Sequence, residues 1–181
     1  MKLIQGLKKI KELQKTAEDL RDLVKNNCAR SSLETDKYPE QEKKVKGWIQ
    51  AHSDLLKEIL RLRIAIQKTN LATETSIEIG GKTVKKTIAE WIHRRRDLAG
   101  DELKMWNGLT DRGVVEGMGK VPTGDVVEVK ITRFFDPAKR DNMKSLYQSE
   151  PMIIDGHLEV TNAVTDLIED NMPCAPPGML V

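Results

Sequence analysis

The chain has 181 residues, of which 39% are hydrophobic, 4% aromatic and 32% charged. This composition is low in apolar and aromatic residues for a compact enzyme and is typical of long helices with wide solvated faces. A net charge of +2 leaves no strong field to attract nucleic acid or an anionic membrane. Because no apolar run approaches the roughly 18 residues that cross a bilayer, we expect a soluble protein made in the cytoplasm.

Two heptad-patterned helices are predicted in the first part of the chain. The first occupies residues 1–28, and the second runs from Pro39 to about Thr73 over nearly four heptads. The columns of the second helix are Val45, His52, Ile59 and Ile66, and Trp48, Leu55, Leu62 and Thr69, with Ile49 and Leu56 widening the stripe. The short polar connection predicts an antiparallel helical hairpin. Its apolar seams exceed what partners within the chain need, so we expect self-association.

A small β-hairpin is predicted at about 76–84. Ile77 and Ile79 alternate with polar residues, and Gly80-Gly81 suits a tight two-residue turn. A third helix is then expected from about Thr83 to Asn107.

That third helix carries three consecutive arginines, Arg94, Arg95 and Arg96. Nucleic-acid binding would favour an accompanying aromatic platform, which is missing from this stretch. We therefore interpret the arginines as a solvated face or as a row of ion pairs with Glu90, Asp97 and neighbouring chains.

The second part of the chain is predicted to be more irregular. Residues 110–124 are rich in glycine and read as a mobile loop or exposed arm, whereas the alternation at about 125–133 predicts one extra strand. Two helices should follow, the first after Asp136-Pro137 and the second opened by Pro151. These features divide the chain into residues 1–109 (helical hairpin, β-hairpin and third helix), 110–124 (arm), 125–170 (strand and two helices packing on the bundle) and 171–181 (an extended, proline-rich tail).

No motif in the sequence predicts catalysis. The GGKT at 80–83 lacks the first glycine of a phosphate-binding loop, because that position holds Ser76. His52, His93 and His157 fall on separate helices without the spacing of a metal-binding pair. We therefore predict a protein that is not an enzyme and binds no cofactor or metal.

Three polar residues on apolar helix faces are candidate polar layers: His52, Asn70 and Asn162. The pattern around Asn70, I-x-x-T-N-x-x-T at 66–73, recurs around Asn162 as L-x-x-T-N-x-x-T at 158–165. Such layers can bind a ligand or fix helix register. The simpler alternatives are a coincidence, or buried asparagines satisfied by backbone groups at helix ends.

Several of these segments occur together in a known family. The MKLxxxLxxxxELQ start, RIAIQKTNLAT at 63–73 and EVTNAVTDL at 159–167 resemble the uncharacterised bacterial helical proteins that bear the name septicolysin. The resemblance covers most of residues 1–170 and implies a simple helical assembly without an assigned active site; a phage-encoded relative would fit. The glycine-rich stretch at 113–124 and the proline-rich tail depart from that pattern.

The sequence thus predicts a mainly α fold, an antiparallel bundle with one small β-hairpin and one extra strand. The leading functional hypothesis is a non-enzymatic structural protein that assembles in many copies, as a connector, tail or capsid accessory protein of a bacteriophage virion. Its partners would be itself and other proteins of the particle, with no membrane and no nucleic acid. Loop and tail would clasp neighbours, the tail through Met172, Met179, Leu180 and Val181. The alternative is a soluble, cytoplasmic bacterial binding module with a ligand or ion near Asn70 and Asn162.

Overall fold

The computed structural model describes residues 1–169, and it confirms a mainly α fold with small β-hairpins. The elements in chain order are α1 (Leu3–Asn27), α2 (Gln41–Ala72), β1 (Glu74–Ile79), β2 (Lys82–Thr87), α3 (Ile88–His93), a π-helical segment (Arg94–Leu98), α4 (Ala99–Asn107), β3 (Gly117–Lys120), β4 (Val126–Val129) and α5 (Pro137–Val164). The strands form two two-stranded sheets, β1–β2 and β3–β4.

The chain divides into two compact units. Among residues 1–169, the first consists of Met1–Glu74 with the chain from Glu159 onward, and the second is Thr75–Leu158. These boundaries do not coincide with the boundaries at residues 109, 124 and 170 that we drew from the sequence.

In the first unit, α1 and α2 form the expected antiparallel hairpin. At its open end the Lys9 ammonium lies 2.6 Å from the Glu58 carboxylate, and at its closed end the Gln41 side chain donates a hydrogen bond to the carbonyl of Asn27. The core joins the heptad positions of both helices: Ile10, Ile59, Leu62, Ala65, Ile66 and the later Leu167. Burial of one stripe from each helix, rather than helix propensity, stabilises such a hairpin.

The last predicted helix ends earlier than expected. We predicted helix to about Asp170, but α5 ends at Val164 and the chain then pairs with its own beginning. The amide of Leu3 donates to the carbonyl of Thr165 at 2.9 Å, and the amide of Leu167 donates to the carbonyl of Met1 at 2.7 Å. This pairing satisfies backbone groups at the start of α1 that a free helix end would leave open.

Lys2 strengthens that pairing with its side chain. Its ammonium donates to the carbonyl of Val164 at 2.7 Å and to the carboxylate of Asp166 at 2.9 Å. This hydrogen bond lowers the pKa of Asp166 below its usual value. The stabilisation is therefore present above the ordinary carboxyl pKa and is lost as the pH falls through the lowered one.

The second unit has a separate core built around Trp91. The core residues are Ile77, Ile88, Trp91, Ile154 and Leu158, and they come from β1, α3 and α5. The indole nitrogen of Trp91 donates to the carbonyl of Thr75 at 3.1 Å, so burial leaves its polar group paired. The predicted β1–β2 turn is present, with Gly80 and Gly81 both at positive φ.

The third helix begins five residues later than predicted, because the residues before Ile88 belong to β2. Thr87 ends that strand and caps α3. Its hydroxyl accepts a hydrogen bond from the amide of Glu90 at 3.2 Å, while the Glu90 carboxylate accepts one from the Thr87 amide at 2.8 Å. The hydrogen bonds that the Thr87 amide and hydroxyl donate to the Glu90 carboxylate lower the pKa of Glu90, and the reciprocal arrangement is a capping box.

The predicted break at Pro151 is wrong, since α5 continues through this proline as one helix. Proline removes one helical hydrogen bond and crowds the preceding turn, so a helix continues through it only when other contacts compensate. Here Glu150 and Ile154, which flank the proline, are both buried in the second unit.

The glycine-rich segment 110–124 is not wholly a loop, because it contains β3. Strand β3 pairs antiparallel with β4, in the register Gly117↔Val129, Met118↔Glu128, Gly119↔Val127 and Lys120↔Val126. The predicted extra strand is thus the second strand of a hairpin, and it is shorter than the predicted 125–133. A Cβ on Gly119 would lie 2.7 Å from the Val129 Cγ2 atom, so this glycine makes room for the valine on the opposite strand.

Candidate interaction surfaces

Helix α2 presents a second apolar stripe that its own unit leaves uncovered. Its members are separated by seven, four, four and seven positions, a spacing that keeps them on one side of a helix. They are between 39% and 67% exposed: Ile49, Leu56, Leu60, Ile64 and Leu71. Ile49 and Leu56 are the positions that widen the heptad pattern in the sequence. We call these five residues the α2 stripe.

A shallow groove of about 260 Å³ lies between α1 and α2 beside this stripe. Its lining is Gln14, Ala17, Glu18 and Arg21 from α1, and His52, Leu56, Ile59, Leu60 and Arg63 from α2. The groove therefore has an apolar floor with charged groups of both signs on its walls.

His52 lies where the heptad pattern placed it, half-buried on the face of α2 that lines the groove. Within residues 1–169 its ring makes no hydrogen bond or ion pair. Because His52 lies beside the stripe, its side chain belongs to a surface groove and not to a closed interior. Whether it forms a polar layer with a partner stays a prediction.

The two asparagines of the repeated motif are half-buried in the first unit. The Oδ1 atoms of Asn70 and Asn162 are each inaccessible to solvent, and neither accepts a hydrogen bond from the described part of the chain. A buried carbonyl without a donor costs about 1–3 kcal/mol, which an ordered water or a bound ligand would offset. In the described part of the chain, no backbone group at a helix end donates a hydrogen bond to the Oδ1 atom of either asparagine.

Sequence reasoning chose Asn70 and passed over its neighbour Thr69. Thr69 is fully buried; its hydroxyl donates to the carbonyl of Ala65 at 2.8 Å and accepts the amide of Ile168 at 2.9 Å. It therefore anchors the segment after α5 to α2. Its place in an apolar heptad column was the signal that a threonine there would be enclosed and would need local partners.

Two of the three arginines bind α5 within the second unit. The guanidinium of Arg94 donates two hydrogen bonds to the carboxylate of Glu150, at 2.6 and 3.0 Å. Arg95 pairs in the same way with Asp155, at 2.7 and 2.9 Å. Of the three arginines, Arg96 alone pairs with the expected partner Asp97. The Glu90 carboxylate, expected to pair with an arginine, accepts a hydrogen bond from the Thr87 amide. Ion pairs are thus present at all three arginines, but two of them have partners other than those we predicted.

The β3–β4 hairpin, residues 117–129, is an exposed arm. Every residue of its two strands is solvent-exposed except Gly119 and Val129, which are half-buried. Met118 is 72% exposed, and Val126 and Val127 are exposed as well. An isolated two-stranded hairpin is marginally stable in water, so a partner for this arm would add to its stability.

The other predicted sites are not tested. Met172, Met179, Leu180 and Val181, the proposed clasp of the tail, lie outside the described residues. Among residues 1–169 no group of three or more His, Cys, Asp or Glu side chains is placed to hold a metal ion. Over the same part of the chain, no helix combines the length and the apolar character needed to cross a membrane.

Comparison with known proteins gives a fold relative. No family model matches the chain, and no similar curated protein was found. A solved structure, described as that of a functionally unknown conserved protein from Corynebacterium diphtheriae, matches with a TM-score of 0.55 at 18% sequence identity. The match covers 92% of this chain and 98% of that one. At this identity the likeness shows the fold alone, and the resemblance to septicolysins stays a prediction.

Proposed function

We propose that this protein is a non-enzymatic structural protein that assembles in many copies. The observation that carries the proposal is the uncovered α2 stripe. Five large aliphatic side chains lie exposed in one row along a 32-residue helix. Such surfaces on a folded protein mark sites of protein contact.

The magnitudes favour assembly through more than one contact. Full burial of an aliphatic side chain contributes about 1.5–3 kcal/mol, and the stripe residues are already partly buried, so each adds about 1 kcal/mol. Their sum is about 5 kcal/mol for each copy, or about 10 kcal/mol when two copies bury their stripes together, which lies within the range of about 4–15 kcal/mol that association costs in lost freedom of motion. The stripe by itself therefore gives weak pairing, and a second contact on each copy would make a stable array.

The setting we propose is a bacteriophage virion, in which the chain serves as a connector, tail or capsid accessory protein. The rigid helical hairpin provides shape, and the exposed arm and the tail residues Met172, Met179, Leu180 and Val181 contact neighbours. Its partners are other copies and other structural proteins of the same particle. In that role the protein is made in the cytoplasm and then becomes part of the virion.

The test is the mass in solution of the full chain and of Leu60→Glu, measured by light scattering over a range of concentrations. Leu60 lies at the middle of the stripe, so a charge there should weaken self-association at least about tenfold, the equivalent of 1.4 kcal/mol. The matched control is Leu33→Glu, which changes a leucine that is 94% exposed in the α1–α2 connection.

The proposal predicts an oligomer for the full chain and for Leu33→Glu, and a smaller species for Leu60→Glu with unchanged circular dichroism. A full chain that is monomeric at every concentration would contradict it.

One observation favours a second candidate, a bacterial binding module. The unpaired Oδ1 atoms of Asn70 and Asn162 are acceptors available to a ligand donor or an ion. On this alternative the full chain is a monomer, and Leu60→Glu leaves its mass unchanged. The light-scattering experiment thus separates the two candidates.

A further inference from the structure

The outer edge of β4 has backbone groups available for another strand. At the end of the arm the amide of Val121 donates to the carbonyl of Asp125 at 3.0 Å. Opposite residues in an antiparallel pair are alternately hydrogen-bonded and not hydrogen-bonded. Counting from the hydrogen-bonded pair Val121–Asp125, the next hydrogen-bonded pairs are Gly119–Val127 and Gly117–Val129. The N–H and C=O groups of Val126, Glu128 and Lys130 therefore point away from β3.

No third strand covers that edge in residues 1–169, where the sheet consists of β3 and β4 alone. A free edge of a short sheet readily pairs with an extended segment of another chain. The side chains along this edge alternate in character: Val127, Val129 and Ile131 share one face, and Glu128 and Lys130 share the other.

We propose that β4 pairs antiparallel with β4 of a second copy across a two-fold axis at Val129, which joins two arms into a four-stranded sheet. The inference rests on the proposed self-assembly and identifies its second contact. In this register Glu128 of one copy faces Lys130 of the other, twice by symmetry, and Val127 faces Ile131. The two copies of Val129 face each other on the axis.

The charges select this register among the neighbouring ones. The backbone N–H and C=O groups that point away from β3 in one copy must pair with the same groups of the other copy. The two-fold axis can therefore pass only through a residue of β4 and not between two residues. An axis at Glu128 would place the two Glu128 carboxylates opposite each other, and an axis at Lys130 would do the same with two ammonium groups. Like charges directly opposite are unfavourable, whereas the axis at Val129 gives two attractive pairs.

The same charge pattern favours a second copy over other occupants. When two copies of the strand run antiparallel, each Glu128 faces a Lys130, so the pattern is complementary to itself. The pair has no net charge that would attract a phosphate backbone or an anionic surface. Within one copy the Lys130 ammonium lies 3.2 Å from the Glu128 carboxylate, so the two groups lie on one face of the strand.

Disulfide trapping tests the axis directly, in full-length chain with Cys28→Ser and Cys174→Ser. The two copies of Val129 form a non-bonded pair with Cα atoms about 4.5 Å apart, within the range of a disulfide. The two copies of Val127 lie about 13 Å apart along the strands and cannot be bridged. Val129→Cys should therefore give a covalent dimer under mild oxidation, and Val127→Cys, two positions along the same face, should give at least about tenfold less.

Charge exchange provides a second, independent readout in the Val129→Cys chain. Glu128→Lys and Lys130→Glu should each abolish the covalent homodimer, because each places like charges across the pair. A mixture of the two variants should restore cross-linking as a heterodimer, which pairing within one chain cannot explain. Lys120→Glu, a charge change on β3, should leave cross-linking intact.

Equal cross-linking at positions 127 and 129, or none at either in a chain that light scattering shows to be oligomeric, would overturn this inference and leave the proposed function standing. A monomeric full chain would overturn both. Cross-linking of Val129→Cys that survives Glu128→Lys undiminished would overturn the pairing of Glu128 with Lys130 across the axis.

Discussion

Glu150 is 3% exposed, and its enclosed carboxylate is paired with the half-buried guanidinium of Arg94. Arg94 also lies over the ring of Tyr147, 5.3 Å from its centroid, and Glu150 keeps the pKa of Arg94 above its usual value. Arg94 and Arg95 open the π-helical segment, and both contact α5 from there. These pairs account for the two arginines as structural residues.

Arg94→Met should destabilise the protein by about 3–5 kcal/mol, because it leaves the Glu150 carboxylate buried without a partner. The measurement is urea unfolding followed by circular dichroism. In the double variant with Glu150→Met most of that loss should disappear, since no buried charge then remains.

The matched control is Arg96→Met, which removes an exposed pair with Asp97 and should cost at most about 1 kcal/mol. If Arg94→Met were as mild as this control, the pair of Arg94 with Glu150 would not hold the π-helical segment to α5.

At the scale of elements, α5 shows how packing overrides a local signal. Proline in a helix interior is unfavourable by about 3 kcal/mol, which is why Pro151 predicted a helix start. The helix instead begins at Pro137, where a missing amide costs nothing, and the Asp136 carboxylate accepts the amide of Ala138 at 2.9 Å. On either side of Pro151, Ile154 packs in the core of the second unit and Glu150 is paired with Arg94. These contacts hold the helix together across the proline.

Pro151→Ala should therefore stabilise the protein, by up to about 3 kcal/mol, because alanine restores the missing hydrogen bond and removes the clash. Thermal and urea unfolding measure the change. Pro137→Ala, the same substitution at the first position of the same helix, should have little effect. A loss of stability in Pro151→Ala would mean that the proline has a packing role that outweighs its backbone cost.

At the scale of the whole molecule, the chain forms two compact units with separate cores. The second unit, Thr75–Leu158, is one continuous stretch that contains every residue of the Trp91 core, its own ion pairs and the cap of α3. A stretch with these features meets the requirements of an independent folding unit.

The fragment Thr75–Leu158 should fold alone, with a near-ultraviolet circular dichroism signal and a cooperative thermal transition. A shorter fragment, 75–150, lacks Ile154 and Leu158 and should show neither. Helix content without the near-ultraviolet signal in the longer fragment would contradict the prediction, because it would indicate a collapsed state without fixed packing.

The sequence by itself determined the features that depend on residues close together in the chain. Heptad spacing specified the α1–α2 hairpin and placed His52 on its apolar face, and Gly80-Gly81 specified the β1–β2 turn, because periodicity and positive φ are local properties. Of the exposed α2 stripe, the heptad pattern named only Ile49 and Leu56, as a widening of the packed face, and it did not separate them from the buried columns.

Tertiary structure alone decided the features that depend on distant residues. Glu150 lies 56 positions from Arg94, and Ile168 lies 99 positions from Thr69, so no local pattern could pair them. For the same reason the continuation of α5 through Pro151 could not be read from composition. In each case a long-range contact supplies more free energy than the local preference it overrides.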